Sequence, residues 1–206
     1  MSLEFIYFDL GNVLLGFDHQ LMCRQMAEVS GIEARRVWQM IFETDLKQRY
    51  ESGQLTTRQF YDAFCEQTGT APDFKAFCHA GSAIFEMNVS MLPVVGQLKA
   101  AGYRLGLLSN TCAMHWDYCT SGRYAQIPDA FDAVALSFRI GSLKPDAKIF
   151  RAAADLAGVA PGEIFFADDL PGHVEAAREA GFHAARYTST AKLVSELLAR
   201  GVRFNY

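Results

Sequence analysis

The strongest constraint on the fold is an alternation along the chain. Four short runs rich in β-branched and aromatic residues, at 3–8, 103–108, 133–138 and 163–167, each end in polar residues and read as buried strands. Between the later runs, helical periodicity covers 90–101, 145–157 and 171–180, and a last helix over 190–200 follows an expected edge strand near 183–187. Strands that alternate with helices in this way form a parallel sheet covered on both faces. The expected fold class is therefore α/β, with a Rossmann-like parallel sheet core flanked by helices.

Residues 17–87 break the pattern. Apolar residues there recur at helical spacing in LMCRQMAEV, VWQMIF, RQFYDAFCEQ and FKAFCHAGSAIF, with no strand-like run, so four helices are expected. Since they separate the first strand from the rest of the sheet, they read as an inserted helical-bundle cap on a core of residues 1–16 and 88–206. Gly16 and residues 88–90 are the expected crossings. Trp38, Phe42, Phe60, Tyr61, Phe64, Phe74, Phe77 and Phe85 fall at helical spacing and read as cap core. Asp18 reads as the N-cap of the first cap helix.

Composition removes several classes. With 19 Lys plus Arg against 23 Asp plus Glu, a net charge of -4 and no long run of either sign, a general nucleic-acid binder is excluded. The opening residues carry Glu4 and Asp9 and lack a basic lead, so no secretory signal is expected, and no stretch is apolar enough to span a bilayer. Cys23, Cys65, Cys78, Cys112 and Cys119 are odd in number and form no CxxC pair. They read as reduced thiols of a cytoplasmic protein, mostly core fillers.

In an open parallel sheet, ligands bind beyond the carboxyl ends of the strands. There the chain places Asp9 in FDLGNV, then Ser109-Asn110-Thr111, Lys144-Pro145-Asp146 and Asp168-Asp169. Converging, these give three carboxylates, a hydroxyl and an ammonium around one pocket. Carboxylates so close repel one another unless a hard cation such as Mg²⁺ joins them. Lys144 supplies a fixed positive charge, and Ser109 with backbone N–H groups near Leu10, Gly11 and Asn110 can donate hydrogen bonds. Asp9 can then attack phosphorus, and water can later hydrolyse the aspartyl-phosphate.

The pieces FDLGNV, LLSNT, LKPD and FFADD, in this order, resemble the four motifs of the haloacid dehalogenase-like hydrolase superfamily, in its branch with a helical cap inserted after the first motif. The resemblance covers the whole chain. It implies that Asp9 is the nucleophile and that Asp9, the Gly11 carbonyl and Asp169 are metal ligands, with Asp168 a ligand directly or through water. It also implies that Ser109, Asn110 and Lys144 hold the phosphoryl group, that the cofactor is Mg²⁺, and that the cap closes over a small phosphorylated metabolite.

One position departs from the superfamily's pattern. Most of its phosphatases carry a second Asp two residues after the nucleophile, as general acid and base; here Gly11 stands in its place. A missing acid costs about 10²- to 10⁴-fold for a leaving group that needs a proton, and less for sugar 1-phosphates, acyl phosphates or aryl phosphates. The FDLGNV form also resembles that of bacterial sugar-phosphate phosphatases related to α-glucose-1-phosphate phosphatase, which points the same way. The expected activity is Mg²⁺-dependent hydrolysis of a small phosphomonoester, a sugar phosphate first among them. Two alternatives differ in kind. A 2-haloacid dehalogenase would use Asp9 against carbon and have no use for Asp168-Asp169. A catalytically impaired binding module would explain Gly11, but not the retained carboxylates.

Smaller assignments follow. Ser109-Asn110-Thr111 is also good helix-start chemistry, and Asp169 could cap the helix that begins near Pro171. His19 and His115 are candidates to reach the pocket from the cap and from the helix after SNT, or else are partly packed surface residues. His173, in DDLPGHVEAA, is expected at the rim near the metal rather than as a ligand. Trp116 and Tyr118 receive no role, and neither the individual substrate nor the oligomeric state is written in any motif.

Overall fold

A computed structural model describes residues 3–124, 127 and 129–206; Met1 and Ser2, at the start of the expected core segment, lie outside the described residues. The chain opens with β1 (Phe5–Phe8) and β2 (Leu15–Phe17). It continues through α1 (His19–Ser30), α2 (Ala34–Phe42), α3 (Leu46–Glu51), α4 (Thr57–Thr68) and α5 (Phe74–Ser82), then returns by β3 (Phe85–Met87) to α6 (Leu92–Ala100). β4 (Arg104–Ser109), α7 (Ala113–Cys119), β5 (Ala133–Leu136), α8 (Ser137–Ile140) and α9 (Ala147–Ala157) follow. β6 (Ile164–Asp168), α10 (Pro171–Glu179), β7 (His183–Arg186) and α11 (Thr190–Ala199) complete the order.

The main sheet runs β5-β4-β1-β6-β7 and every pair in it is parallel. β1 lies at the centre, where the connections turn to opposite sides, which is the switch point at which such sheets open a crevice. Side chains alternate across a strand. Ile6 and Phe8 therefore pack with Val94 and Leu98 of α6 and Leu193 and Leu197 of α11, whereas Phe5 and Tyr7 pack with Ile149 and Phe150 of α9 and Val174 of α10. Burial on both faces is why β1 reads as a continuous apolar run. β7 is an edge strand, as its place in the sequence suggests.

The helices between β2 and β3 build a separate apolar cluster around Met26, Val37, Ile41, Phe60, Phe64 and Phe77. Cys112 and Met114, beside the start of α7, belong to the same cluster and anchor the insertion to the sheet layer. There are five helices here rather than the four expected: α3 has six residues and buries only Leu46 and Tyr50, too few to show a period. The expected absence of strands is also corrected. β2 and β3 pair antiparallel, Phe17 opposite Phe85 and Gly16 opposite Glu86, but three-residue strands are shorter than any alternation that can be read. Asp18 caps α1 as expected, its Oδ1 accepting from the N–H groups of Gln20 at 2.7 Å and Leu21 at 3.0 Å.

The insertion also touches α8. Gly53, at φ 72°, brings its backbone so close that a Cβ would stand 2.1 Å from the Phe138 carbonyl oxygen, so only glycine fits. Ser137 Oγ donates to the Glu51 carbonyl at 2.7 Å. The five cysteines are free thiols, with Cys23, Cys112 and Cys119 buried. Among the described residues, no helix is long and apolar enough to cross a membrane.

Candidate active site

Three neighbouring strand ends gather the charged groups. The Asp9 N–H donates to the Ala167 carbonyl at 2.9 Å, which holds Asp9 at the carboxyl edge directly after β1. Ser109 ends β4 on one side and Asp168 ends β6 on the other. The segment before α9 delivers Lys144 between them. Its Nζ lies 3.0 Å from Asp9 Oδ1 and 2.5 Å from Asp168 Oδ2, and donates to the Leu108 carbonyl at 2.9 Å. The Lys144 and Asp168 side chains are both 0% exposed, so this ion pair lies out of solvent.

Burial governs the electrostatics. It pushes the Asp9 carboxyl above the ordinary carboxylate range, against the pull of Lys144 and a hydrogen bond from Ser109. Burial opposes the charged form of Lys144 as well, but Asp9 and Asp168 overcome it and hold the ammonium above its usual range. Asp168 is also buried, yet hydrogen bonding to His173 and the charge of Lys144 bring it below its ordinary value. His173 Nδ1 is 3.1 Å from both Asp168 oxygens, and the Leu170 N–H donates to Oδ1 at 2.8 Å. Asp168 is thus pinned on both oxygens.

The side chain of Asn110 turns to Lys144. Its Nδ2 donates to the Lys144 carbonyl at 2.9 Å and its Oδ1 accepts from the Lys144 N–H at 2.7 Å. Both ends of the carboxamide are spent on positioning Lys144. Nor does Ser109-Asn110-Thr111 cap α7: the cap position is Cys112, and the Thr111 N–H donates to Ser137 Oγ at 3.0 Å. Likewise Leu170, rather than Asp169, precedes α10 at its cap position. The Leu10 N–H donates to Asp9 Oδ1 at 2.8 Å.

Oxygens of Asp9, Asp168 and Asp169 all lie within 4.8 Å of one another. Three carboxylates against the one ammonium of Lys144 leave a net charge of -2, and hard oxygen donors in such a cluster suit a small divalent cation. Asn12 Nδ2 donates to Asp169 Oδ2 at 2.9 Å and so aims that carboxylate. Asn12 takes a left-handed backbone, φ 56°, which asparagine tolerates better than most residues.

Gly11 has a steric reason. A Cβ there would stand 2.8 Å from Phe17 Cε1 and 3.9 Å from Asp9 Oδ2, so the Phe17 ring occupies the space a second aspartate would need. The ring packs against His19, centroids 4.7 Å apart.

The strand ends open into a cavity of about 290 Å³, with Asp9, Ser109 and Asp169 on its floor. Phe17, His19, Phe85 and His115 form its walls, and Lys47 and Glu51 reach in from α3. A neighbouring cavity of about 310 Å³ is also lined by Lys47 and Glu51 and reaches Asn110 and Lys144. Both His19 and His115 therefore do reach the pocket; burial pushes each down to about 4, aided by the nearby charge of Lys47. His115 Nε2 lies 3.0 Å from the Gly81 carbonyl. Sequence reading missed Phe17, Lys47 and Glu51, whose placement depends on a short helix and a short ribbon. The role of Asn12 had a visible trace, its position inside FDLGNV.

A parallel sheet with an acidic, lysine-buttressed cluster at its switch point, beneath an inserted helical layer, is an α/β fold with a ligand site at the carboxyl edge of its strands. Residues 6–181 match the family model for haloacid dehalogenase-like hydrolases, and the chain belongs to that family. It is similar to D-ribitol-5-phosphate phosphatase of Bacteroides thetaiotaomicron, 24% identical over 182 residues that cover 86% of this chain and 88% of the relative. It is also similar to Phosphatase MT3486 of Mycobacterium tuberculosis, 24% identical over 203 residues that cover 89% and 87%. A solved HAD family enzyme from Bacteroides thetaiotaomicron, in complex with magnesium and inorganic phosphate, shares the fold with a TM-score of 0.80. Its identity is 24%, and the match covers 90% of this chain and 94% of that one.

Proposed function

We propose that this protein is a Mg²⁺-dependent phosphomonoesterase that acts on a small phosphorylated metabolite, a sugar phosphate above all, through an aspartyl-phosphate on Asp9. The observation that carries the reading is Asp9 itself: a carboxylate facing the cavity, 3.0 Å from a buried ammonium and within 4.8 Å of two further carboxylates. Two relatives named as phosphatases, and a structural neighbour that binds magnesium and phosphate, support it.

Asp9 attacks phosphorus as the bond to the leaving oxygen breaks; water then displaces Asp9 from the phosphoryl group, releasing phosphate. Lys144 keeps Asp9 charged and attracts the phosphoryl oxygens, while Ser109 and the N–H groups of Gly11 and Asn110 donate to them and the Leu10 N–H, bonded to Asp9 Oδ1, turns to them as Asp9 engages phosphorus. Asp9, the Gly11 carbonyl and Asp169 would hold Mg²⁺, with Asp168 acting through water, and the ion would neutralise the carboxylates and polarise the phosphoryl oxygens. No aspartate at position 11 protonates the leaving oxygen, so esters with good leaving groups are favoured. Residues 17–87 act as a cap that covers the substrate, on a core of 1–16 and 88–206.

The test is phosphate release from a panel of phosphomonoesters, with Mg²⁺ or with EDTA, for the parent and Asp9→Asn. Release should need Mg²⁺ and vanish in the variant; residual activity within about tenfold of the parent refutes Asp9 as nucleophile. Silence of the folded parent across the panel would favour a binding module, and halide release from 2-haloacids would favour a dehalogenase.

A further inference from the structure

The pair Lys47 and Glu51 has no explanation in the stability of the helix that carries it. Lys47 Nζ and Glu51 Oε2 are 2.6 Å apart, with the Glu51 side chain only 13% exposed. They are spaced i, i+4 on α3, but in the unfavourable order. The ammonium lies in the first turn, where the helix end is already partly positive, and the carboxylate is the last residue, where it is partly negative. Withdrawing Glu51 from water adds a desolvation cost. A pair in the weaker order for its helix that still lines the cavity with Asp9 is placed for a ligand.

The rings that line the same cavity narrow the class of that ligand. Phe17 packs against His19 and Phe85, with centroids 4.7 Å and 6.4 Å apart, and Phe85 against His115 at 5.2 Å. A ligand lying between Asp9 and α3 therefore meets these rings together with an acceptor beside a donor. A second phosphate fits poorly, because Glu51 stands beside the only ammonium that α3 brings to the cavity. A hydrocarbon leaves the charged pair without a partner. A carbon skeleton with neighbouring hydroxyls satisfies both walls: its C–H groups lie on the rings, one hydroxyl donates to Glu51, and the next accepts from Lys47.

We infer that Lys47 and Glu51 are specificity-determining residues that bind adjacent hydroxyls of a polyhydroxylated leaving group, so that the substrate is a polyhydroxylated ester, a sugar 1-phosphate meeting the leaving-group requirement best, rather than a plain alkyl or aryl ester. This rests on the phosphatase reading and adds the residues that choose the leaving group. A site that hydrogen-bonds a substrate hydroxyl discriminates strongly against analogues without one, because its own polar groups then go unpaired.

The experiment measures kcat/KM with Mg²⁺ for glucose 1-phosphate, ribitol 5-phosphate and p-nitrophenyl phosphate, in the parent, Glu51→Gln and Lys47→Met. The ratio of the better polyhydroxylated ester to p-nitrophenyl phosphate should fall about 10- to 100-fold in each variant, mostly through KM, as expected for a lost hydrogen bond to a charged group. Thermal melts provide the second readout: Glu51→Gln, which leaves no charge stranded, should melt within a few degrees of the parent, whereas Lys47→Met also carries the cost of an unpaired Glu51. An unchanged ratio, or a large drop in the melting temperature of Glu51→Gln, overturns the inference. A parent active only on p-nitrophenyl phosphate also overturns it, while leaving the phosphatase reading intact. A parent silent on all three esters overturns both.

Discussion

Replacing Lys144 with Met isolates the electrostatic knot beneath the site. The ammonium is fully buried between Asp9 at 3.0 Å and Asp168 at 2.5 Å, and Asp168 is equally buried. Met fills a similar volume, so packing changes little, but Asp168 loses its counter-charge out of reach of water and Asp9 loses it at the cavity floor. Removing one partner of a buried pair costs about 3–5 kcal/mol, mostly through the charge left behind. For a chain of this size that corresponds to a melting temperature about 6–20 °C lower. Circular dichroism melts without added metal would measure it. The double variant Lys144→Met/Asp168→Asn separates the causes, because it removes one stranded charge along with the ammonium and should recover part of the loss. A single variant within about 1 kcal/mol of the parent, or a double variant less stable than the single, would show that the pair does not carry this energy.

Other expectations follow from the same geometry. Gly11→Asp should not supply the missing acid, because Phe17 holds its space; it should destabilise by about 1–3 kcal/mol without raising turnover of alkyl phosphates, and a gain of tenfold or more, about 1.4 kcal/mol in barrier, would contradict the steric account. Asn12→Gly keeps the left-handed backbone but frees Asp169, so half-maximal activation should need about 10- to 100-fold more Mg²⁺; an unchanged requirement would remove Asn12 from the site. His19 and His115 have folded pKa values depressed to about 4, so the stability they add is full above their unfolded value near 6.5 and is lost as pH falls from there toward 4. Urea titrations near neutral pH and about one to two units lower should show a smaller drop for His19→Gln/His115→Gln than for the parent, and equal drops would mean that neither histidine is held neutral by the fold.

The parts of the site legible in the sequence are those that strand ends deliver. Asp9, Ser109 and Asp168 each follow a run buried on both faces, and such runs announce where they stop. Lys144 could be placed among them only by its company. The rest depends on pairings that sequence distance hides. Nothing local shows that Lys144, 34 residues on, takes both ends of the Asn110 carboxamide. Asn12 and Asp169 meet across 157 residues. Phe17 read as the start of a helical segment, yet a three-residue ribbon turns its ring over Gly11, where it fills the space beside the one departure from the expected motif.

That ribbon makes the helical segment a cassette. Phe17 and Phe85 are register partners, so the chain leaves the sheet layer and re-enters it through one doorway about 5 Å wide. A two-residue hairpin turn could span it, and the scar would be the uncovered surface of Cys112 and Met114. By the same geometry, a foreign helical segment with matching ends could be grafted at that doorway, bringing a different pair of side chains over Asp9 while Lys144 and Asp168 stay untouched. On the phosphatase reading proposed above, the choice of substrate would drift by exchange of one continuous stretch of chain, with no renegotiation between the buried Lys144 and Asp168.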